Sequence, residues 1–381
     1  MAKREYQVCT KTIMDTSDPE ITFDENGVCN HVDLFNKEVG ETWFPGPEGK
    51  PKLDSLINKI KSESKHLEYD VIIGLSGGVD SSYLAYFLKK EYNLRMLAVH
   101  VDAGWNSELA VMNIENIVKI LDIDLFTYVV NWKEIQDLQL AYLKSGVINQ
   151  DVPQDHVFKA SLQYTAKKHG IKYFLSGGNH ATEGILPTSW VYRAADSRNL
   201  KAIHKKYGKV KLKTYPIAGF WKTFVYFPFI YGLKSRRPLN FIDFKKEAAK
   251  ELIIKELNWR DYGGKHCESN WTKFYQNFWL PKKYGFDKRR AHLSSMIMSG
   301  EITRDEALAE IDIPLYDPHE LEMDKAYVAR KLGVSKEEFN AILDMPIQSH
   351  FDFKNERFLY KNALGIIRKL GVVKIIKGRL R

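Results

Sequence analysis

The run Ser76-Gly77-Gly78-Val79-Asp80-Ser81-Ser82 gathers groups that handle phosphate. It follows the apolar stretch Val71–Leu75 directly and precedes a helical pattern over Tyr83–Lys90. A strand that turns into a helix in this way brings unbonded backbone N–H groups and the positive end of the helix dipole to one point, where they bind anions. Gly77 and Gly78 let a ligand approach the backbone closely. Ser76, Ser81 and Ser82 add hydroxyl donors, and Asp80 suits a magnesium ion bridging phosphates. The Walker pattern G-x-x-x-x-G-K-[ST] is absent, so this is not an ordinary P-loop ATPase. A second cluster lies at Gly263–Ser269, where Lys265 beside His266, with Glu268 nearby, offers a phosphate clamp and a proton-transfer pair. The run Lys288-Arg289-Arg290 suits another anionic group. Taken singly, each of these clusters reads more readily as a solvated charge cluster than as a site.

These residues need a scaffold that brings them together. Apolar runs at Val71–Leu75, Met96–Val101, Leu125–Val130 and Tyr173–Leu175 read as strands. Helical patterns at Ser55–Lys65, Tyr83–Lys90, Asn113–Leu121, Trp132–Lys144 and Asp155–His169 precede or separate them. This β-α-β-α order predicts an α/β fold, a parallel sheet with helices on both faces. Ligands in such folds sit at the carboxyl ends of the strands. The Ser76–Ser82 turn, Asp102 after the second strand and Ser176-Gly177-Gly178-Asn179 after the fourth would then share one rim. Three segments are expected: a small N-terminal module over 1–50, closed by Pro45-Gly46-Pro47; the nucleotide domain over 51–260; and a mainly helical region over 261–381 that completes the substrate site. In the first, Asp24-Glu25-Asn26-Gly27 reads as a hairpin turn. In the last, Thr303-x-x-Glu306 and Ser335-x-x-Glu338 read as capping boxes.

Composition narrows the compartment and the ligands. Three cysteines, an odd and low count, argue against a disulfide framework and for the reducing cytoplasm. The Met-Ala-Lys-Arg-Glu start has no apolar core behind it, so no secretory signal is expected. A net charge of +9 favours polyanionic ligands without selecting among nucleic acid, a nucleotide sugar and ATP. The lysines of Lys245–Lys255 read as a solvated helix face. Ile217–Leu233 is strongly apolar, but Lys222 and Pro228 interrupt it and it is short for a bilayer span, so a buried or partner-docking segment is expected.

The Ser76–Ser82 pattern resembles the SGGxDS motif of the PP-loop ATP pyrophosphatases, which split ATP between the α- and β-phosphates and release AMP and pyrophosphate. With Met14–Pro19, Phe23–Asn30, Gly104–Ser107, Asp151-Val152-Pro153, Pro238-Leu239-Asn240 and the Gly263–Ser269 block, the chain resembles the N-acetyl sugar amidotransferases of the WbpG type, which act in lipopolysaccharide O-antigen biosynthesis. The resemblance implies ATP and Mg2+ as cofactors and a UDP-linked diacetamido uronic acid sugar as substrate. One acetamido oxygen would be adenylated and then replaced by ammonia, giving an acetamidine. It implies ATP contacts from Ser76, Gly77, Gly78, Asp80, Ser81, Ser82, Val101, Asp102, Gly177, Gly178 and Asn179. Catalysis would fall to Asp80, as the Mg2+ ligand, with Lys265, His266 and Glu268. Substrate contacts would come from His180, Lys288, Arg289 and Arg290. Position 103 is alanine where relatives carry asparagine.

The chain has no glutaminase nucleophile: position 2 is alanine, and Cys267 is not on a nucleophile elbow. The resemblance supplies the missing part as a separate glutaminase and cyclase-like pair similar to the two subunits of imidazole glycerol phosphate synthase. Relatives also carry two C-x-x-C pairs near the N-terminus. Here Cys9 and Cys29 remain, with Thr12 and Val32 where the second thiols would be, and His31 is the one further ligand. A structural zinc is therefore not expected. Two other readings stand beside the sugar amidotransferase: a PP-loop tRNA-modifying enzyme, and a non-catalytic nucleotide-binding scaffold for a glutaminase. Under the first reading no nucleic acid and no membrane span are expected.

Overall fold

The computed structural model describes residues 5–263 and 268–360. Five strands form one parallel sheet: β1 (Val71–Gly74), β2 (Met96–Asp102), β3 (Asp124–Val129), β4 (Tyr173–Leu175) and β5 (Lys234–Arg236). Their spatial order is β3-β2-β1-β4-β5. The chain therefore grows outward from β1 through β2 to β3, then returns to the other side of β1. That reversal between β1 and β4 opens a crevice at their carboxyl ends, the place where open α/β sheets bind ligands.

The sequence explains where these elements begin and end. β1 and β2 are almost continuously apolar, and Val71, Ile72, Ile73 and Ala98 are fully buried, as strands covered on both faces must be. Asp70 sets their register: its carboxylate accepts from the Arg95 backbone N–H at 2.9 Å, immediately before the Val71–Met96 pair. The helices between strands are closed by residues that tolerate left-handed backbone. Asn93, Asp122 and Gly146 end the Val79–Tyr92, Glu108–Leu121 and Trp132–Ser145 helices. Ser107 and Asn131 cap the starts of the latter two with their side-chain oxygens.

β5 lies outside the expected strands. Lys-Ser-Arg carries no apolar run, and the strand exists because β4 offers an unpaired edge. The apolar stretch around 217–233 folds as the wide-turned helix Trp221–Tyr231, with Thr223, Phe227 and Pro228 buried. Among the described residues no helix is long and apolar enough to cross a membrane.

In the N-terminal module, Asp24 accepts from the Asn26 and Val28 amides, and the Phe23–Cys29 bridge closes the hairpin. The Thr12 and Cys29 amides both point at the Cys9 sulfur, at 3.4 and 3.2 Å. His31 instead pairs with Asp18 at 2.7 Å. The C-terminal helices pack onto this module: Arg290 pairs with Asp15 at 3.0 Å, and Arg304 donates to the carbonyls of Thr12 and Cys9. One apolar cluster runs without a break from Cys9 to Phe353.

Candidate active site

A cavity of about 690 Å³ opens at the crevice between β1 and β4. Two serine–glycine turns form its floor. After β1, the Gly78 N–H donates to the Ser76 hydroxyl at 3.2 Å; after β4, the Gly178 N–H donates to the Ser176 hydroxyl, also at 3.2 Å. The same short motif thus folds the same way on two adjacent strands. The turns interlock. A Cβ on Gly177 would stand 2.8 Å from the Asp80 carbonyl, so only glycine lets the β4 turn lie against the start of the Val79–Tyr92 helix. Gly77 has φ +83° and gives its carbonyl to the Trp259 indole N–H at 2.8 Å.

Gly78, Val79, Asp80 and Ser81 all line the cavity, so the first-turn amides of that helix, which have no intrahelical partner, face it. Ser76, Ser176, Gly177 and Gly178 line it as well. Ser82 does not. It is fully buried, and its hydroxyl donates back to the Gly78 carbonyl at 2.7 Å, holding the turn rather than meeting a ligand. Asn179 is likewise buried and caps the short His180–Glu183 helix by accepting from the Thr182 N–H. That helix turns Glu183 toward the cavity. Nothing local in the sequence marks Glu183, because it joins Asp80 in lining the cavity only once the strand order sets β4 beside β1.

The wall opposite comes from the C-terminal part. The Ser107 N–H donates to the Glu268 carbonyl at 2.9 Å, the Asn270 N–H donates to the Trp105 carbonyl at 2.9 Å, and Asn106 bridges Ser269. This stitch holds Glu268 over the Gly78 turn, where it and Tyr262 line the cavity. Lys265 and His266 lie outside the described residues.

Other expected contacts fall elsewhere. Asp102 accepts from the Gly104 N–H at 2.7 Å and from the Asn106 amide, so it caps its own turn. Neither it nor the buried Val101 lines this cavity. His180 is packed against Phe35 and Trp43, with Nε2 at 3.0 Å from the Phe35 carbonyl, and stands in the core. Arg289 reaches the cavity, but its guanidinium donates to Asp287 and to the carbonyls of Glu310, Ile311 and Ile313, which uses all five N–H groups. Arg290 is committed to Asp15 and the Ile13 carbonyl. Lys288 lines the cavity as well.

Lys246 and Lys250, read from sequence as a solvated face, instead line the cavity. Lys250 pairs with Asp261 at 2.6 Å, which raises its pKa. Lys246 makes no ion pair among the described residues. Lys246 and Lys250 line the cavity together with the carboxylates of Glu247 and Asp261.

Comparison with known proteins agrees with this layout. Residues 52–226 match the family model for NAD synthase. Residues 268–366 match the model described as LPS biosynthesis protein WbpG-like, C-terminal domain. Together the two matches support the resemblance to WbpG-type PP-loop proteins. Among solved structures, NMN synthetase from Francisella tularensis aligns at 14% identity over 79% of this chain and 98% of its own, with a TM-score of 0.36. The NH3-dependent NAD synthetase from Campylobacter jejuni aligns at 14% identity over 78% and 97%, with a TM-score of 0.30. No curated protein matches the sequence. The NAD synthase-like match indicates an ATP-dependent enzyme of the C–N ligase or amidotransferase type.

The cavity suits nucleotide and metal. Among the described residues no group of three His, Cys, Asp or Glu side chains could hold a metal ion alone. Magnesium does not need one, since it keeps several waters and binds through one or two carboxylates plus substrate phosphates. Asp80 and Glu183 are two carboxylates among the residues that line the cavity and could hold such an ion. A Cβ on Gly78 would come within 3.2 Å of the Tyr262 hydroxyl and 3.4 Å of Glu268, so the missing side chain is what lets these two groups approach the turn.

Proposed function

We propose that the enzyme adenylates the acetamido oxygen of a UDP-linked diacetamido uronic acid sugar and exchanges it for ammonia, forming an acetamidine in lipopolysaccharide O-antigen biosynthesis. The observation that carries this reading is that the phosphate-binding turn and the WbpG-like C-terminal region line one cavity. An amide carbonyl is a poor electrophile and must be activated before ammonia can displace its oxygen. The acetamido oxygen attacks the α-phosphorus, the bond to pyrophosphate breaks, and the amide N–H proton is released, leaving an O-adenylyl imidate. Ammonia then adds to the imidate carbon and AMP leaves.

The protein's part is to position groups and neutralise charge. The amides of Val79–Ser81 would hold the pyrophosphate, with Lys246 countering its charge. Asp80 and Glu183 would hold magnesium, which when bound supplies Lewis-acid stabilisation of the leaving pyrophosphate. Glu268, which lines the cavity beside the Gly78 turn, would face the acceptor. Ammonia would come from a separate glutaminase, and nucleotide substrates suit a cytoplasmic enzyme.

The test is direct. Purified protein is incubated with ATP, Mg2+, ammonium and candidate UDP-diacetamido uronates, and the products are separated and weighed. AMP, pyrophosphate and a sugar with one oxygen replaced by N–H are expected. Formation of ADP, or AMP release that depends on RNA rather than on a sugar, would sink the reading.

A further inference from the structure

The helix Trp221–Tyr231 keeps one face in water that the cavity between β1 and β4 does not use. With the Val152–Lys168 helix it forms a groove of about 420 Å³, Tyr164 and Lys167 on one wall and Trp221, Lys222, Val225 and Ile230 on the other. Trp221 is 65% exposed and Ile230 71%, a large apolar surface to leave hydrated. Thr223, Phe227 and Pro228 of the same helix are buried, so the exposed pair stands on an anchored element.

Two lysines cross the groove reciprocally. Lys222 reaches Tyr164, its Nζ 5.2 Å from the ring centre and donating to the hydroxyl at 2.8 Å. Lys167 reaches the other way, its Nζ 4.9 Å from the ring centre of Tyr226. Both side chains are exposed, so their stems cover aromatic rings while their ammonium groups stay in water. Neither wall supplies a carboxylate to answer them. Residues 156–175 and 197–242 contain no Asp or Glu, and the second stretch carries eleven Lys and Arg, enough to account for the net charge of +9. More positive charge follows beside Trp221. Tyr360 packs edge-on against Phe220 and Phe224, at 4.9 and 5.1 Å between ring centres. Residues 361–381, next in sequence, carry seven Lys and Arg, nine Leu, Ile and Val, and no Asp or Glu, so the same mixture of apolar and basic groups continues.

An occupant of this face must be anionic and must also take up an indole and an isoleucine side chain. Nucleic acid meets the first demand but offers Ile230 no hydrocarbon. A bilayer surface with acidic headgroups meets both, since lysines settle among phosphates, tryptophan at headgroup depth and aliphatic groups at the acyl boundary. We propose that this face docks on an anionic phospholipid bilayer, with Trp221 and Ile230 inserted and Lys167 and Lys222 among the headgroups. The Trp221–Tyr231 helix then lies in the interface without crossing it, which its 11 residues are too few to do. Stable membrane anchoring takes two signals, and an apolar pair on a basic surface supplies them. None of the groove residues lines the nucleotide cavity, so docking and catalysis are separable by mutation.

The experiment sediments the full chain with vesicles of phosphatidylcholine alone or mixed with phosphatidylglycerol. The unaltered protein should pellet with the acidic vesicles only, and less as added salt screens the charge. Trp221→Ser combined with Ile230→Ser should weaken that partition about tenfold or more. Lys167→Gln combined with Lys222→Gln should weaken it by about the same factor. All four side chains are exposed, so melting temperatures should stay near the original. Acyl chains carrying bromine should quench the tryptophan fluorescence of the bound protein, and Trp221→Phe, which preserves the ring surface, should remove that quenching. Failure to pellet with acidic vesicles, or undiminished pelleting of the double serine variant, would overturn the proposal. Loss of RNA binding rather than vesicle binding in that variant would overturn it too, and make the face a nucleic-acid surface.

Discussion

Asp80 holds the least replaceable position under the proposed function, because it places a carboxylate in the first turn of a helix that opens onto the cavity. Asp80→Ala should abolish AMP formation while leaving the circular dichroism spectrum and melting temperature close to the original. Unchanged turnover would remove Asp80 from the metal role. Lys246→Ala should raise the KM for ATP about tenfold or less, as expected for a solvent-facing charge on a polyphosphate, with the fold intact. At this scale the sequence was legible where the chemistry is local. Ser76 to Ser81 announce themselves because strand, turn and helix follow one another within a dozen residues. Arg289, Arg290 and His180 misled because a side chain's commitments lie in segments distant along the chain. All five N–H groups of Arg289 are taken by Asp287 and the end of the Arg304–Asp312 helix, and no local pattern announces that.

Among the elements, the interlocked serine–glycine turns decide the shape of the cavity floor. Gly177→Ala would drive a methyl group into the Asp80 backbone, and relief requires β4 and the Val79–Tyr92 helix to separate. Overpacking of that kind costs ~1–3 kcal/mol. The substitution should lower both the urea midpoint and kcat/KM for ATP, whereas a loss of stability alone would spare kcat/KM at low temperature. The strands and helices themselves were readable from apolar runs and caps. Thr303 and Glu306 form the reciprocal capping box that their spacing predicts, and Ser335 caps the Glu338 N–H. The Lys-Ser-Arg strand and the inward Lys246–Lys250 face were not readable, since charged residues show their partners only when a neighbouring element arrives.

For the molecule as a whole, two buried histidines predict how it fails in acid. His156 donates from Nδ1 to the Ala194 carbonyl and accepts at Nε2 from the Ala218 N–H, so both nitrogens are already used by the neutral ring. His350 is held the same way, donating to Asn199 and accepting from the Asn149 N–H. Burial lowers His156 to about 4 and His350 to about 3. Folded-state values below the unfolded one mean that the unfolded chain binds the extra protons, so stability is full above about pH 6.5 and declines as the pH falls toward 4. The urea midpoint should drop steadily from pH 7 to pH 5, with a shallower slope in His156→Gln. A flat profile would show that these rings do not govern acid stability.

The antiparallel bridge between Asn106 and Ser269 has a consequence for engineering. It sews the region that resembles NAD synthase to the region that resembles WbpG, at the lip of β2 and within reach of the nucleotide turn. Grafting a foreign C-terminal half onto residues 52–226 would therefore alter the nucleotide pocket as well as the acceptor. Chimeras built at that joint should be judged first on whether they still retain ATP.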